Sequence, residues 1–276
     1  MPAFICTACG TEFPPSPSPP TTCPICADAR QYVPAGGQGW TTLDELARRH
    51  ANTFRQHEPK VLAIRTEPSF AIGERAFLIL SDAGNLLWDC LTLIDDATVT
   101  LIRALGGLAA IAISHPHYYT TMARWSDAFG APVLVHAADR EWVVNPGGKL
   151  VFWEGDSREV RAGMTLVRCG GHFAGGTVLH WADGAEGRGA LFSGDVLQVL
   201  PDRRHVSFMR SYPNLTPLSA PVVERIAARL SPYRFDRIYG AFAEREIMEG
   251  GEEAVRRSAE RYVRAVSGRG PADAES

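Results

Sequence analysis

The chain has little that would tie it to nucleic acid, to a membrane or to export. Its 28 Lys and Arg are outnumbered by 31 Asp and Glu, a net charge of -3. That excludes the basic surface on which obligatory nucleic-acid binding depends. The arginine pairs Arg203–Arg204 and Arg256–Arg257 read as solvated faces. No apolar run approaches the ~20 residues of a membrane helix, so no membrane partner is expected. The amino terminus, MPAFICTACG, has neither a basic start nor a long apolar stretch. It reads as cytoplasmic rather than as a secretory leader. No Walker loop, GxSxG elbow or internal repeat is present, which removes the common phosphate-loop and serine-hydrolase readings. What remains is 45% hydrophobic and 21% charged, a globular composition long enough for one large domain or two.

Four of the six cysteines are paired as Cys6-x-x-Cys9 and Cys23-x-x-Cys26. In a reducing compartment two such knuckles favour metal over disulfide. Four thiolates suit one tetrahedral ion, zinc or iron, with no position left open for hydrolysis. The proline-rich stretch 14–20 between the pairs can form neither helix nor central strand. Residues 1–35 are therefore read as a four-cysteine module, similar to zinc ribbons and rubredoxin-like knuckles. So small a unit must draw much of its folding free energy from the ion. Residues 36–58 are read as a linker and a helix, with Leu43, Leu46, Ala47 and Phe54 at helical spacing and Thr42 as its cap.

From about residue 60 short apolar strands alternate with helices. The pattern predicts strands over 61–66, 76–81, 86–90, 109–114, 132–136, 149–153, 165–169, 177–181, 189–195 and 235–239. Helices are predicted over 96–107, 121–130, 219–230 and 251–266, and 267–276 is read as a disordered tail. Strands clustered with helices point to an α/β layered sandwich.

The chemistry concentrates at strand ends. His115-Pro-His117 follows the strand AAIAIS, and Pro116 stiffens a turn on which both histidines can face one ion. His172 follows TLVRC inside GGHF, and Asp195 follows GALF inside SGD. Three histidines and a carboxylate suit zinc or iron. His50, His57, His136 and His180 lack ligand-like partners and are read as structural, and His205 as a loop histidine. Asp89 ends the strand LLWD, and carboxylates often orient ligating histidines.

In order and spacing these motifs resemble the metallo-β-lactamase fold superfamily over roughly residues 60–245. The resemblance implies a four-layer αββα sandwich in a domain spanning 59–266, with the site at one edge of the sheets. The superfamily's first motif continues as HxHxDH, but here Tyr119 and Thr120 stand at its acidic and final positions. Its late histidine falls at Ala241. Three ligands of the usual second metal are thus missing, and one ion is expected on His115, His117, His172 and Asp195. The implied activity is metal-dependent hydrolysis of an ester, thioester, lactone or similar bond in a small molecule. The expected ion is zinc, with iron as the alternative. Asp195 is the candidate proton acceptor and Tyr119 a candidate oxyanion donor. The alternatives are a mononuclear iron oxygenase of the same fold and a non-catalytic, metal-stabilised binding protein.

Overall fold

The computed structural model describes residues 1–268. Two sheets carry the body. The first has seven strands, in sequence order from Ala51–Glu58 to Lys149–Trp153. Its members Leu86–Trp88, Ala110–Ala112, Pro132–His136 and Lys149–Trp153 run parallel. Helices Asp96–Ala104 and Met122–Phe129 make two of the crossovers. The second sheet has six strands, Ser157–Arg161, Met164–Arg168, Thr177–Trp181, Ala190–Phe192, Arg237–Tyr239 and Glu246–Ile247.

The period-two alternation of strand side chains sorts the core into layers. Phe77, Leu86, Trp88 and Ala112 of the first sheet pack against Leu166, Leu179, Phe192 and Tyr239 of the second. The opposite face of the first sheet, with Leu78, Leu87, Ile111 and Val133, packs against Ile102, Met122 and Trp125 of its two helices. The outer face of the second sheet, with Val167, Val178, Leu191 and Ile238, is covered by helices Ala220–Leu230 and Gly251–Val266. The molecule is thus the expected αββα sandwich.

The stretch expected as one helix before residue 58 differs. The helix is only Leu43–Ala47, capped by the Thr42 hydroxyl accepting from the Glu45 amide. Ala51–Glu58 is the edge strand of the first sheet, antiparallel to Val61–Glu67 with Phe54 opposite Ile64. Phe54 fits a helical stripe and a strand face equally, and hairpin pairing decides between them. Ser157–Arg161, a strand with no apolar alternation to announce it, forms the hairpin edge of the second sheet. The tail expected as disordered reaches past the described residues at 269–276.

The amino-terminal module folds onto the body. Ile5–Cys6 pairs antiparallel with Trp40–Thr41, returning the chain past the glycine-rich joint. The Glu12 amide donates to the Thr120 carbonyl at 3.0 Å, and the Thr92 hydroxyl to the Gly10 carbonyl at 3.2 Å. Asn214 Nδ2 donates to the carbonyls of Ala29 and Gln31. Among the described residues, no helix is long and apolar enough to cross a membrane.

Candidate metal centre

Strand ends bring the predicted residues together at one edge of the sandwich. His115 caps, and His117 lies within, the short turn Pro116–Tyr118 that follows Ala110–Ala112. His172 sits in the loop between Met164–Arg168 and Thr177–Trp181, and Asp195 follows Ala190–Phe192. All four are 5% exposed or less. Their ligand atoms lie within 4.8 Å of one another. His172 Nε2 is 3.3 Å from His117 Nδ1, and His115 Nε2 is 3.5 Å from Asp195 Oδ2.

Two glycines make this convergence possible. Gly194 has φ +48°, and a Cβ there would meet the Ser114 Cβ at 2.5 Å. Gly171 has φ +87°, and a Cβ would meet Ile226 and Leu218 at about 3 Å. Neither loop could approach so closely with a larger residue.

Neighbours fix the rings. His172 Nδ1 donates to the Arg210 carbonyl at 2.7 Å, which leaves Nε2 as a lone pair aimed at the cluster. His115 Nδ1 lies 2.8 Å from the Ser114 hydroxyl, which reaches Asp89 Oδ2 at 3.1 Å. Asp89 Oδ1 also accepts the Ser114 amide at 2.7 Å. Asp89 thus orients His115 through Ser114, as expected of a carboxylate behind a ligand. Burial depresses His172 to a pKa of about 3 and His117 well below its ordinary value. Burial opposes the ionisation of Asp195, but His115 beside it holds the carboxyl below the usual value. Nε2 of His115, Nε2 of His117 and Oδ1 of Asp195 are buried without a hydrogen-bond partner. Buried polar atoms left without partners in so tight a group of residues are costly unless something of opposite charge sits among them. The donor set therefore fits a divalent cation.

The four cysteines form the second group. Cys6 and Cys26 Sγ are 3.6 Å apart, Cys9 and Cys23 Sγ 3.5 Å, and all are 2% exposed or less. Their ligand atoms fall within the same 4.8 Å limit. Cys90 and Cys169 stand apart, and burial raises both thiols, Cys169 to about 12.

The positions of the missing second-metal ligands are put to other use. Tyr119 is a correction to the sequence reading. Its hydroxyl donates to the Asp139 carbonyl at 3.4 Å and its ring is packed in the outer core, so it does not face the cluster. Tyr118 donates to the carbonyls of Arg75 and Ala241. Thr120 bonds the Cys90 carbonyl through its hydroxyl and takes the Glu12 amide of the module on its own carbonyl. His205 bonds Asp202 at 2.7 Å, away from the cluster.

The structure adds residues that no spacing announced. The module supplies part of the site wall. Gln31 and Tyr32 line a cavity of about 330 Å³ that also touches His117, His172 and Asp195. Arg30 stacks 3.7 Å over Phe173 and 4.7 Å over Trp142, and its Nη1 donates to the His172 carbonyl at 3.4 Å. Tyr212 lies 5.8 Å from His172, ring to ring, and donates to the Asp195 carbonyl. Asp139 accepts the Gly175 amide at 2.7 Å, clamping the loop that carries His172. Glu74 is 5% exposed, with one carboxyl oxygen unpartnered. Burial pushes it up to about 8, opposed by a hydrogen bond to its own backbone and aided by the charge of Asp195.

No family model matches the chain. YmaE of Bacillus subtilis (strain 168) is 46% identical over 269 residues, which cover 97% of this chain and 98% of that protein. Among solved structures, TMB-1 aligns with a TM-score of 0.59 at 12% identity, covering 78% of this chain and 98% of its own. The DIM-1 metallo-β-lactamase aligns at 0.57 and 13%, covering 76% and 97%. A B3 metallo-β-lactamase with an active-site glutamic acid aligns at 0.53 and 16%, covering 86% and 97%. At such identities the likeness is one of fold.

Proposed function

The chain belongs to the family of Bacillus subtilis YmaE and has the metallo-β-lactamase fold, and on that premise we propose that it is a metal-dependent hydrolase of a small molecule. His115, His117, His172 and Asp195 hold one divalent ion, zinc, and the scissile bond is an ester, thioester, lactone or similar. The observation that carries this is a group of three buried histidines and a buried carboxylate that each offer a ligand atom within 4.8 Å of the others. An ion bound there supplies a water of lowered pKa and a Lewis acid for the carbonyl.

The chain's own residues do the rest. The Arg210 carbonyl fixes the His172 tautomer, and the Asp89–Ser114 pair holds His115. Burial keeps His117 and His172 neutral at physiological pH, so their lone pairs are available. Asp195 stays ionised, and the carboxylate oxygen it does not commit to the ion takes a proton from water. Tyr212 braces the Asp195 backbone, and Gln31 and Tyr32 narrow the cavity mouth. Cys6, Cys9, Cys23 and Cys26 hold a second ion, zinc or iron, with a structural role. Two Cys-x-x-Cys pairs gathered as metal ligands rather than disulfides suit a reducing, cytoplasmic setting.

Elemental analysis of wild type and His172→Ala tests the reading. Wild type is expected to carry two equivalents of metal, and the variant one, with no turnover on ester, thioester and lactone panels. Equal metal and equal turnover in the two proteins would remove the ion from the mechanism. Iron at the body site with oxygen uptake would select the oxygenase alternative.

A further inference from the structure

On the far side of the His172 loop lies a second cavity, of about 640 Å³. Its wall holds five arginines, Arg30, Arg168, Arg210, Arg225 and Arg229, and no acidic residue. In a chain of net charge -3 such a concentration is not a by-product of composition. Two of the five are already neutralised, Arg30 by Asp28 and Arg229 by Asp156 at 2.6 Å. Arg168, Arg210 and Arg225 have no carboxylate within 4.0 Å among the described residues. They come from three separate elements: the strand Met164–Arg168, the strand Met209–Ser211 and the helix Ala220–Leu230. Like charges brought together by unrelated elements repel, and the concave wall focuses their field outward onto an anion. Arg225 lies against the loop backbone, with Nη2 3.7 Å from where a Cβ on Gly170 would sit. His172 lines this cavity and the cavity of the metal group alike.

We propose that the arginine cavity binds the phosphoryl or diphosphate group of a small molecule. Guanidinium forks match phosphate oxygens in pairs, and three unpaired cations suit a compact group of two to three negative charges. Resting on the hydrolase reading above, this group is the tail of the substrate, whose scissile bond lies at the His172 side of the shared wall. The substrate is then a phosphate-bearing ester or thioester.

The test titrates inorganic pyrophosphate into the full-length, metal-loaded protein by calorimetry. Three variants accompany wild type: Arg210→Gln/Arg225→Gln, Asp195→Asn, and Arg256→Gln/Arg257→Gln as a control on an outer helix. Wild type is expected to bind in the range below about 1 mM, more weakly as salt rises. The Arg210/Arg225 variant should lose on the order of a hundredfold in affinity, from two charged hydrogen-bonding groups. The control should match wild type. Asp195→Asn loses body metal but should keep pyrophosphate binding, which separates this site from an anion sitting on the ion. Pyrophosphate binding that survives in Asp195→Asn stands even if no hydrolysis is found, so the two readings fail separately. No saturable binding, equal binding in the Arg210/Arg225 variant, or loss only in Asp195→Asn would overturn the proposal. So would tighter binding of citrate, or of a single-stranded RNA to a protein that ignores pyrophosphate. As to the tail, wild type should prefer a phosphorylated ester over its dephosphorylated partner in kcat/KM, and the Arg210/Arg225 variant should not. Equal preference in both would confine the cavity to free phosphate and refute the substrate assignment.

Discussion

Replacing Glu74 with glutamine should change how stability depends on pH. Glu74 is buried near Asp195, with one carboxyl oxygen unpartnered, and its pKa is raised from 4.5 to about 8. The folded state therefore holds this proton more tightly than the unfolded chain does. Below about pH 4.5 both states are protonated and the group costs nothing. Between about pH 4.5 and 8 the unfolded chain ionises first, so folding stability falls as pH rises. Above about pH 8 both states are ionised and the loss is complete. That interval, at about 1.4 kcal/mol per pH unit, corresponds to about 5 kcal/mol. Glutamine keeps the shape and cannot ionise. Urea unfolding of both metal-loaded proteins, followed by tryptophan fluorescence at pH 5 and pH 9, measures the difference. Asp139, raised by burial to about 6, and the histidines titrate in both proteins and cancel. The variant should gain on wild type by about 4 kcal/mol between the two pH values, because the unfolded chain is already largely ionised at pH 5. A wild-type-to-variant gap that is the same at pH 5 and pH 9 would refute the placement of Glu74 in a desolvated site.

Other outcomes follow from single contacts. Tyr119→Phe removes a hydroxyl that bonds only the Asp139 carbonyl, so it should cost about 1 kcal/mol of stability and leave turnover unchanged. A rate loss of roughly 10²–10³, the size seen for an oxyanion donor, would show that this phenol reaches substrate after all. Ser114→Ala cuts the link from Asp89 to His115 and should weaken the body ion by roughly 10–100-fold in a chelator competition, with the cysteine-bound ion unaffected. Cys23→Ser with Cys26→Ser should remove one equivalent of metal. It should also lower turnover, because Gln31 and Tyr32 of the module line the cavity, while the body ion stays bound; unchanged metal content would disprove the four-sulfur site.

Much of this was legible before any coordinates. His115, His117, His172 and Asp195 each stand just past an apolar strand, and the strands Pro132–His136, Lys149–Trp153 and Thr177–Trp181 keep the bounds their patterns predict. Local pattern is enough there, because a continuous apolar run with a break after it has one good solution in a layered sandwich. It fails where a long-range partner decides. Phe54 becomes a strand residue only because Ile64 lies opposite. Tyr119 stood at a position where the superfamily has a ligand, and only the packing around Asp139 shows its hydroxyl turned away. Arg30 and Glu74 carry no motif; the first becomes informative through Phe173 and His172, the second through burial beside Asp195. The arginine cavity is assembled from four distant segments that look like ordinary surface in sequence.

The route by which the module reaches the body sets an order of events during synthesis. A chain emerging amino-terminus first can gather its four sulfurs as soon as Cys26 is free. Yet the loop beyond them has nothing to rest on until much later. Ala29, Arg30 and Gln31 are held by His172, Ser211 and Asn214, contacts that span from 142 to 185 residues of chain. Contacts of such separation close late in folding. The earliest part to be made is thus the final wall to be set, and until it swings in, the histidine cluster stands open on that side to arriving ions.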